Sequence, residues 1–267
     1  MLALICGQGR LPAIVTAAQA EAPFVCALAG FEPDGLEPDL VFHIETLGTL
    51  LQTLKDKGVA QVCFAGAIRR PPVDPSRIDA ATWPLVPALQ AAIGGGDDAA
   101  LRAVIGIFET AGFTVVGAHD AAPDLLPPPG IVTRRQPDER DRKDAARGAA
   151  VLATMSSADL GQACVVLAGQ VLTVEGSYGT DWMLQSLRVR PDAEKGGGVL
   201  CKAPKTEQDR RADLPAVGPE TVQGLVQAGL TGLVLEAGGV MVLDMPSVVE
   251  ACDAADLMLW IRRVDEE

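Results

Sequence analysis

The chain has 267 residues, enough to bury a sizeable core as one large domain or two small ones. A hydrophobic content of 48% excludes a disordered chain, and 4% aromatics leave the core to Ala, Val, Leu and Ile, a profile common in α/β proteins with buried parallel strands. A formal net charge of −13 repels a nucleic-acid backbone, and the positive charge gathers in short clusters that suit a small anionic ligand better than a polymer.

The apolar run Leu2 to Cys6 reads as a strand, followed by the turn Gly7-Gln8-Gly9-Arg10-Leu11-Pro12 and a helix from Ile14 to Ala20. Strand, glycine turn and helix is how a doubly wound fold begins. A dinucleotide fingerprint would need a third glycine where Pro12 stands, so the fingerprint is broken. The backbone at Gly7 and Gly9 either approaches a phosphate or sugar or forms a tight turn and no more. Phe24 to Ala29 is a second strand, followed by a Gly/Pro/Asp loop. Leucines at 47, 50, 51 and 54 have helical spacing, which predicts a helix from Thr46 to Lys57 ended by Gly58. Val59 to Ala65 is a third strand, and Arg69 and Arg70 emerge at its carboxyl end, where open α/β sheets hold ligands. A charged exit from a buried strand is the plainer alternative. A glycine turn at 94–96 leads to a helix from Ala99 to Ala111 capped by Asp97 or Asp98. Phe113 to Ala118 is a fourth strand that ends at His119, which is read as a packing residue, and Asp124 to Gly130 is too proline-rich for regular structure. The rhythm is β-α-β-α-β-α-β, a Rossmann-like parallel-sheet domain over 1–132.

The charged run at 133–145 reads as an interdomain linker entering a helix from about Asp141 to Met155. The second domain, 146–267, is expected to be mixed α/β. Ala163 to Leu167 and Gln170 to Glu175 form a hairpin across Ala168-Gly169. Gly179, Thr180 and Asp181 precede a helix from Trp182 to Leu187, where Thr180 or Asp181 would cap it; such a start is an anion site or an ordinary cap. Val199 to Cys201 is a short strand delivering Lys202, Lys205, Gln208, Asp209, Arg210, Arg211 and Asp213. Cations there suit a phosphorylated ligand and spaced aspartates a hard metal ion, against the alternative of a solvated charged loop. A helix from Pro219 to Ala228, strands at Gly232 to Leu235 and Val240 to Leu243, and a helix from Pro246 to Met258 complete the chain.

The six cysteines have no C-x-x-C pair and lie mostly in apolar runs, as reduced core residues of a cytoplasmic protein would. No apolar run reaches the roughly 18 residues of a membrane span, and the amino terminus has no secretory pattern.

Several motifs in order carry a resemblance over nearly the whole chain: GQGRLP at 7–12, FAGAIRRP at 64–71, DDAALRAV at 97–104, GFTVVGAH at 112–119, GTDWML at 179–184, CKAPKTEQDRRADLPAVGPETV at 201–222 and GLVLEAGGVMVLD at 232–244. The chain resembles the UDP-2,3-diacylglucosamine pyrophosphatases of lipid A biosynthesis, the family distinct from the calcineurin-like hydrolases of the same step. The resemblance implies two α/β domains and Mg2+-dependent hydrolysis of UDP-2,3-diacylglucosamine to UMP and 2,3-diacylglucosamine 1-phosphate (lipid X), with water attacking the phosphorus on the sugar side. It implies Asp213 first, as magnesium ligand or aligner of water. Asp209 and Asp181 are the further metal candidates, and Lys202, Lys205, Gln208, Arg210 and Arg211 would surround the phosphates. Gly7, Gly9, Arg69, Arg70, Gly179, Thr180 and Asp181 are the expected substrate-binding positions. Family members often carry an acidic residue where this chain has Tyr178, so no acid role is expected there. A homodimer, peripheral at most on the inner membrane, is the expected state. The rival readings are an NAD(P)- or nucleotide-sugar-binding Rossmann protein and a non-catalytic lipid carrier.

Overall fold

The computed structural model describes residues 1–68, 72–94, 97–191, 196–206, 208–264 and 266. The chain divides into two compact units: Met1–Pro123 with Asp209–Asp213, and Asp124–Gln208 with Leu214–Glu267.

Unit 1 runs β1 (Leu2–Cys6), α1 (Leu11–Ala17), β2 (Phe24–Leu28), β3 (Leu40–Phe42), α2 (Leu47–Asp56), β4 (Gln61–Ala65), α3 (Val86–Gly94), α4 (Asp97–Thr110), β5 (Thr114–Val116) and α5 (Ala118–Ala121). Among the described residues its strands form one parallel sheet in the order β3-β2-β1-β4-β5. The order reverses between β1 and β4, which is the doubly wound arrangement expected from the sequence. Leu47, Leu50, Leu51 and Leu54 all face the core, as their spacing predicts. Phe108 of α4 meets Phe64 of β4 edge to face at 5.2 Å, one of the few aromatic contacts in an aliphatic interior. The edge strand β3 falls in the expected loop, too short at three residues to show a pattern. Of the expected glycine turn, Gly95 and Gly96 lie outside the described residues.

Unit 2 runs β6 (Gly130–Ile131), α6 (Glu139–Ser157), β7 (Ala163–Leu167), β8 (Gln170–Val174), α7 (Gly179–Leu187), β9 (Val199–Lys202), β10 (Ala216–Val217), α8 (Pro219–Gln227), β11 (Gly232–Glu236), β12 (Met241–Val242), α9 (Met245–Ala254) and β13 (Met258–Arg262). Among the described residues the main sheet has the order β6-β13-β11-β9-β7-β8, with β9, β11 and β13 parallel and the others antiparallel to their neighbours. Strand alternation sends side chains to opposite faces. Leu200, Leu233 and Leu259 pack with Leu184 of α7, Leu225 of α8 and Cys252 of α9. Cys201, Val234 and Trp260 pack with Ala145, Leu152 and Met155 of α6. A mixed α/β second domain is thus present.

The expectations for the last helix and for the charged run change. The last helix stops at Ala254 instead of reaching Met258: Asp256 has φ 53°, a left-handed conformation that breaks the helical run, and Met258 opens β13. The charged run at 133–145 belongs to unit 2, and its charges are used inside that unit. Asp138 and Asp141 form the capping box of α6, and Arg135 donates to Asp141 Oδ2 at 2.8 Å. The buried Asp144 accepts from the amides of Ala168 and Gly169 at 2.8 and 2.6 Å, fixing the tip of the β7–β8 hairpin.

Candidate functional site

Fully buried β9 carries Lys202 to its carboxyl end, where the side chain is only 8% exposed. Its Nζ donates to Thr180 Oγ1 at 2.8 Å, and that hydroxyl donates in turn to Glu175 Oε1 at 2.5 Å. Glu175 Oε2 accepts from the Gln162 amide at 2.6 Å. Thr180 does not cap a helix as expected. α7 starts at Gly179, with φ 79° there, so Thr180 lies inside the first turn and its hydroxyl is directed at Lys202 and Glu175. Asp181 follows on the exposed side of the same turn.

The turn after β9 is tied to the end of α6. Lys205 Nζ pairs with Asp159 Oδ1 at 2.8 Å, and the Thr206 amide donates to Ser156 Oγ at 2.8 Å. The buried Gln208 accepts from the Lys205 amide through Oε1 at 3.1 Å, while its own amide donates to Lys205 O at 3.3 Å.

Residues 209–213 then belong to unit 1. They form one helical turn, with the amides of Ala212 and Asp213 donating to Asp209 O at 3.2 and 3.1 Å. Ala212 packs on the unit 1 core. Arg211 grips Asp209 twice, Nε to Oδ1 at 2.9 Å and Nη2 to Oδ2 at 2.8 Å, and reaches Glu109 Oε1 of α4 through Nη1 at 2.6 Å. The guanidinium hydrogen bond holds the Asp209 carboxyl below its ordinary range and raises Arg211 in turn. Arg210 is exposed and Asp213 half-buried.

The three expected metal carboxylates are therefore in different circumstances. Asp209 has both oxygens committed to Arg211, Asp213 closes the turn in unit 1, and Asp181 is exposed in unit 2. Among the described residues, no group of three or more His, Cys, Asp or Glu side chains is placed to hold a metal ion.

In unit 1, the Gly7 amide donates to Ala65 O at 2.8 Å, and Gln8 and Ala67 exchange backbone hydrogen bonds at 2.9 Å each. A Cβ on Gly7 would stand 2.5 Å from Ala67 O. Gly7 thus lets the loops after β1 and β4 close on each other at the switch point, whereas Gly9, φ 95°, has open space around it. Arg69 and Arg70 lie outside the described residues. His119 is 19% exposed and stands 3.6 Å from Asp120 Oδ1.

Sequence reasoning missed Glu175, which reads as the exposed end of an alternating strand. It also missed a cavity of about 250 Å3 in unit 2, between α6 and the carboxyl ends of β9, β11 and β13. Ala149, Leu152 and Ala153 of α6 wall it with Val234, and Lys202, Glu236 and Arg262 stand at the strand ends. Carboxyl ends of parallel strands are where such sheets bind ligands, a signal that becomes usable once the strand directions are known.

Comparison with known proteins matches a family model described as "LpxI N-terminal domain" to residues 1–125 and one described as "LpxI C-terminal domain" to residues 128–260. A curated protein of Caulobacter vibrioides, named UDP-2,3-diacylglucosamine pyrophosphatase LpxI, is 36% identical over 276 residues, spanning 100% of this chain and 98% of the relative. With both domain models matched in order and a relative aligned from end to end, the chain belongs to the LpxI family.

Proposed function

We propose that this protein hydrolyses the pyrophosphate bond of UDP-2,3-diacylglucosamine to UMP and 2,3-diacylglucosamine 1-phosphate. The observation that carries this reading is the end-to-end likeness to a relative named for that reaction. Water bonds to the sugar-side phosphorus and gives up a proton to solvent, the bond from that phosphorus to the bridging oxygen breaks, and UMP leaves with the bridging oxygen and its electron pair.

The chain's own residues have work suited to this reaction. The Lys202 ammonium, held at a strand end in a largely dry setting, would neutralise phosphate charge more strongly than a solvated lysine. Asp213 would align the attacking water or hold magnesium. Asp209 fits a ligand role poorly while Arg211 occupies both its oxygens. One carboxylate with phosphate oxygens and waters is a set magnesium accepts, and Asp213 is the carboxylate we assign to it. Bound there, the ion would withdraw charge from the pyrophosphate. The walls of Ala149, Leu152 and Ala153 suit an apolar part of the substrate. No helix among the described residues is long and apolar enough to cross a membrane. Peripheral association would use exposed apolar groups such as Tyr178 and Trp182, whose rings meet at a tilt.

The test is hydrolysis of UDP-2,3-diacylglucosamine in 18O-labelled water with magnesium, the products read by mass spectrometry. The label is expected in the sugar phosphate and not in UMP. Absence of UMP release by the folded protein would sink the reading.

A further inference from the structure

We propose that Thr180 and Glu175 are positioning residues for Lys202. They form a relay that fixes the direction of its ammonium at the end of β9. The inference rests on the reading that Lys202 meets the phosphates; it adds Glu175 to that site and gives Thr180, expected from the sequence to bind substrate, a positioning role instead.

The hydrogen-bond directions leave little choice. A lysine ammonium only donates, so Thr180 Oγ1 must accept from Lys202 Nζ at 2.8 Å. The single hydroxyl proton is then given elsewhere, and Glu175 Oε1 lies 2.5 Å away to take it. The second oxygen of Glu175 is not spare, because it accepts from the Gln162 amide at 2.6 Å. The backbone holds the carboxylate's own residue as well, with the Glu175 amide donating to Ala163 O at 2.8 Å. A Cβ on Gly161 would stand 2.4 Å from Glu175 O, so the chain at Gly161 leaves Glu175 little room to shift. The order Gln162 amide, Glu175 carboxylate, Thr180 hydroxyl, Lys202 ammonium therefore runs from fixed backbone to a flexible side chain. A lysine has four rotatable bonds, and fixing its head removes freedom that would otherwise be lost when substrate binds.

Two substitutions separate this relay from a packing role. Thr180→Val keeps the shape and removes both hydrogen bonds, whereas Thr180→Ser keeps the hydroxyl and removes a methyl. Glu175→Gln offers one accepting oxygen where two are used, so one of the two donors loses its acceptor. The first readout needs no substrate: acetylation of Lys202 by acetic anhydride, followed by mass spectrometry on the folded full-length protein. Thr180→Val and Glu175→Gln are expected to raise the Lys202 labelling rate several-fold, and Thr180→Ser to return it towards wild type. Equal labelling of Lys202 in all of these proteins would overturn the relay, whatever reaction the protein performs.

The second readout is turnover of UDP-2,3-diacylglucosamine. Thr180→Val is expected to lower kcat/KM by about tenfold, the worth of one well-placed hydrogen bond to a charged group, and Thr180→Ser to recover most of that loss. Because the residues act through Lys202, Glu175→Gln in a Lys202→Met background should cost nothing further. Losses that multiply in the double variant would show an independent structural role and overturn the proposal. A wild-type protein with no turnover would reject the proposed function while the labelling experiment still decided the relay.

Discussion

Gly148 in the middle of α6 lies directly over Cys201 of β9: a Cβ built on the glycine would stand 2.3 Å from the Cys201 Sγ. A mid-helix glycine costs about 1 kcal/mol against alanine, so close approach to the sheet is its compensation. Gly148→Ala is expected to destabilise the protein by about 1–3 kcal/mol through overpacking, despite the better helix former. Urea denaturation should show the loss, and adding Cys201→Ala should recover part of it. A Gly148→Ala protein more stable than wild type would mean the helix does not press on the strand.

Asp213→Ala is expected to lower kcat for UMP release by about 10²–10⁴, the usual contribution of a group that aligns or deprotonates the attacking water. The variant should stay folded, because the turn that Asp213 ends is held by backbone hydrogen bonds to Asp209 O. Normal turnover in this variant would remove Asp213 from the reaction.

Chelation of divalent ions is expected to stop UMP release, and added magnesium to restore it. The thermal midpoint should hardly move, because both cores are built from apolar side chains packed on one another. Full turnover in excess EDTA would show that Asp213 serves water alone.

Asp209 supplies a pH dependence. Its folded pKa is lowered from 3.8, first by the Arg211 hydrogen bond. A depressed carboxyl stabilises the fold above its unfolded pKa, and that stabilisation is lost as pH falls through the folded value. The window therefore opens near pH 3.8 and extends below it. Solvent screening keeps the effect to about 1 kcal/mol or less. Asp209→Asn should flatten the acid limb of the stability curve by that amount, and an unchanged limb would show the pair is not formed in solution.

How far the sequence was legible depended on whether the signal was local. Leu47, Leu50, Leu51 and Leu54 carry their own period, and the α2 they predict is present. The β7–β8 hairpin follows from two β-rich runs and Ala168-Gly169. The strand Met258–Arg262 was hidden because its apolar residues continue the run of the preceding helix, and only the left-handed backbone at Asp256 separates the two. Charge identity was readable but charge pairing was not. Nothing near Arg211 in sequence names Glu109 as its partner 102 residues away, and nothing near Lys202 points to Glu175. The run at 133–145 shows the same limit, since density of charge reads as solvent exposure while Asp141 and Asp144 are buried on fixed donors.

The turn at Asp209–Asp213 bears on how the chain can be dissected. A fragment ending at Pro123 would keep the whole parallel sheet of unit 1, yet Glu109 would lack Arg211 and the core would lack the cover of Ala212. A fragment beginning at Asp124 would carry that turn away from the core on which it packs. The two halves matched by separate family models are therefore not cleanly severable at one point of the chain. Co-expressed as separate fragments, they would regain the Arg211–Glu109 pair only on meeting, which makes fragment complementation a direct gauge of that five-residue loan.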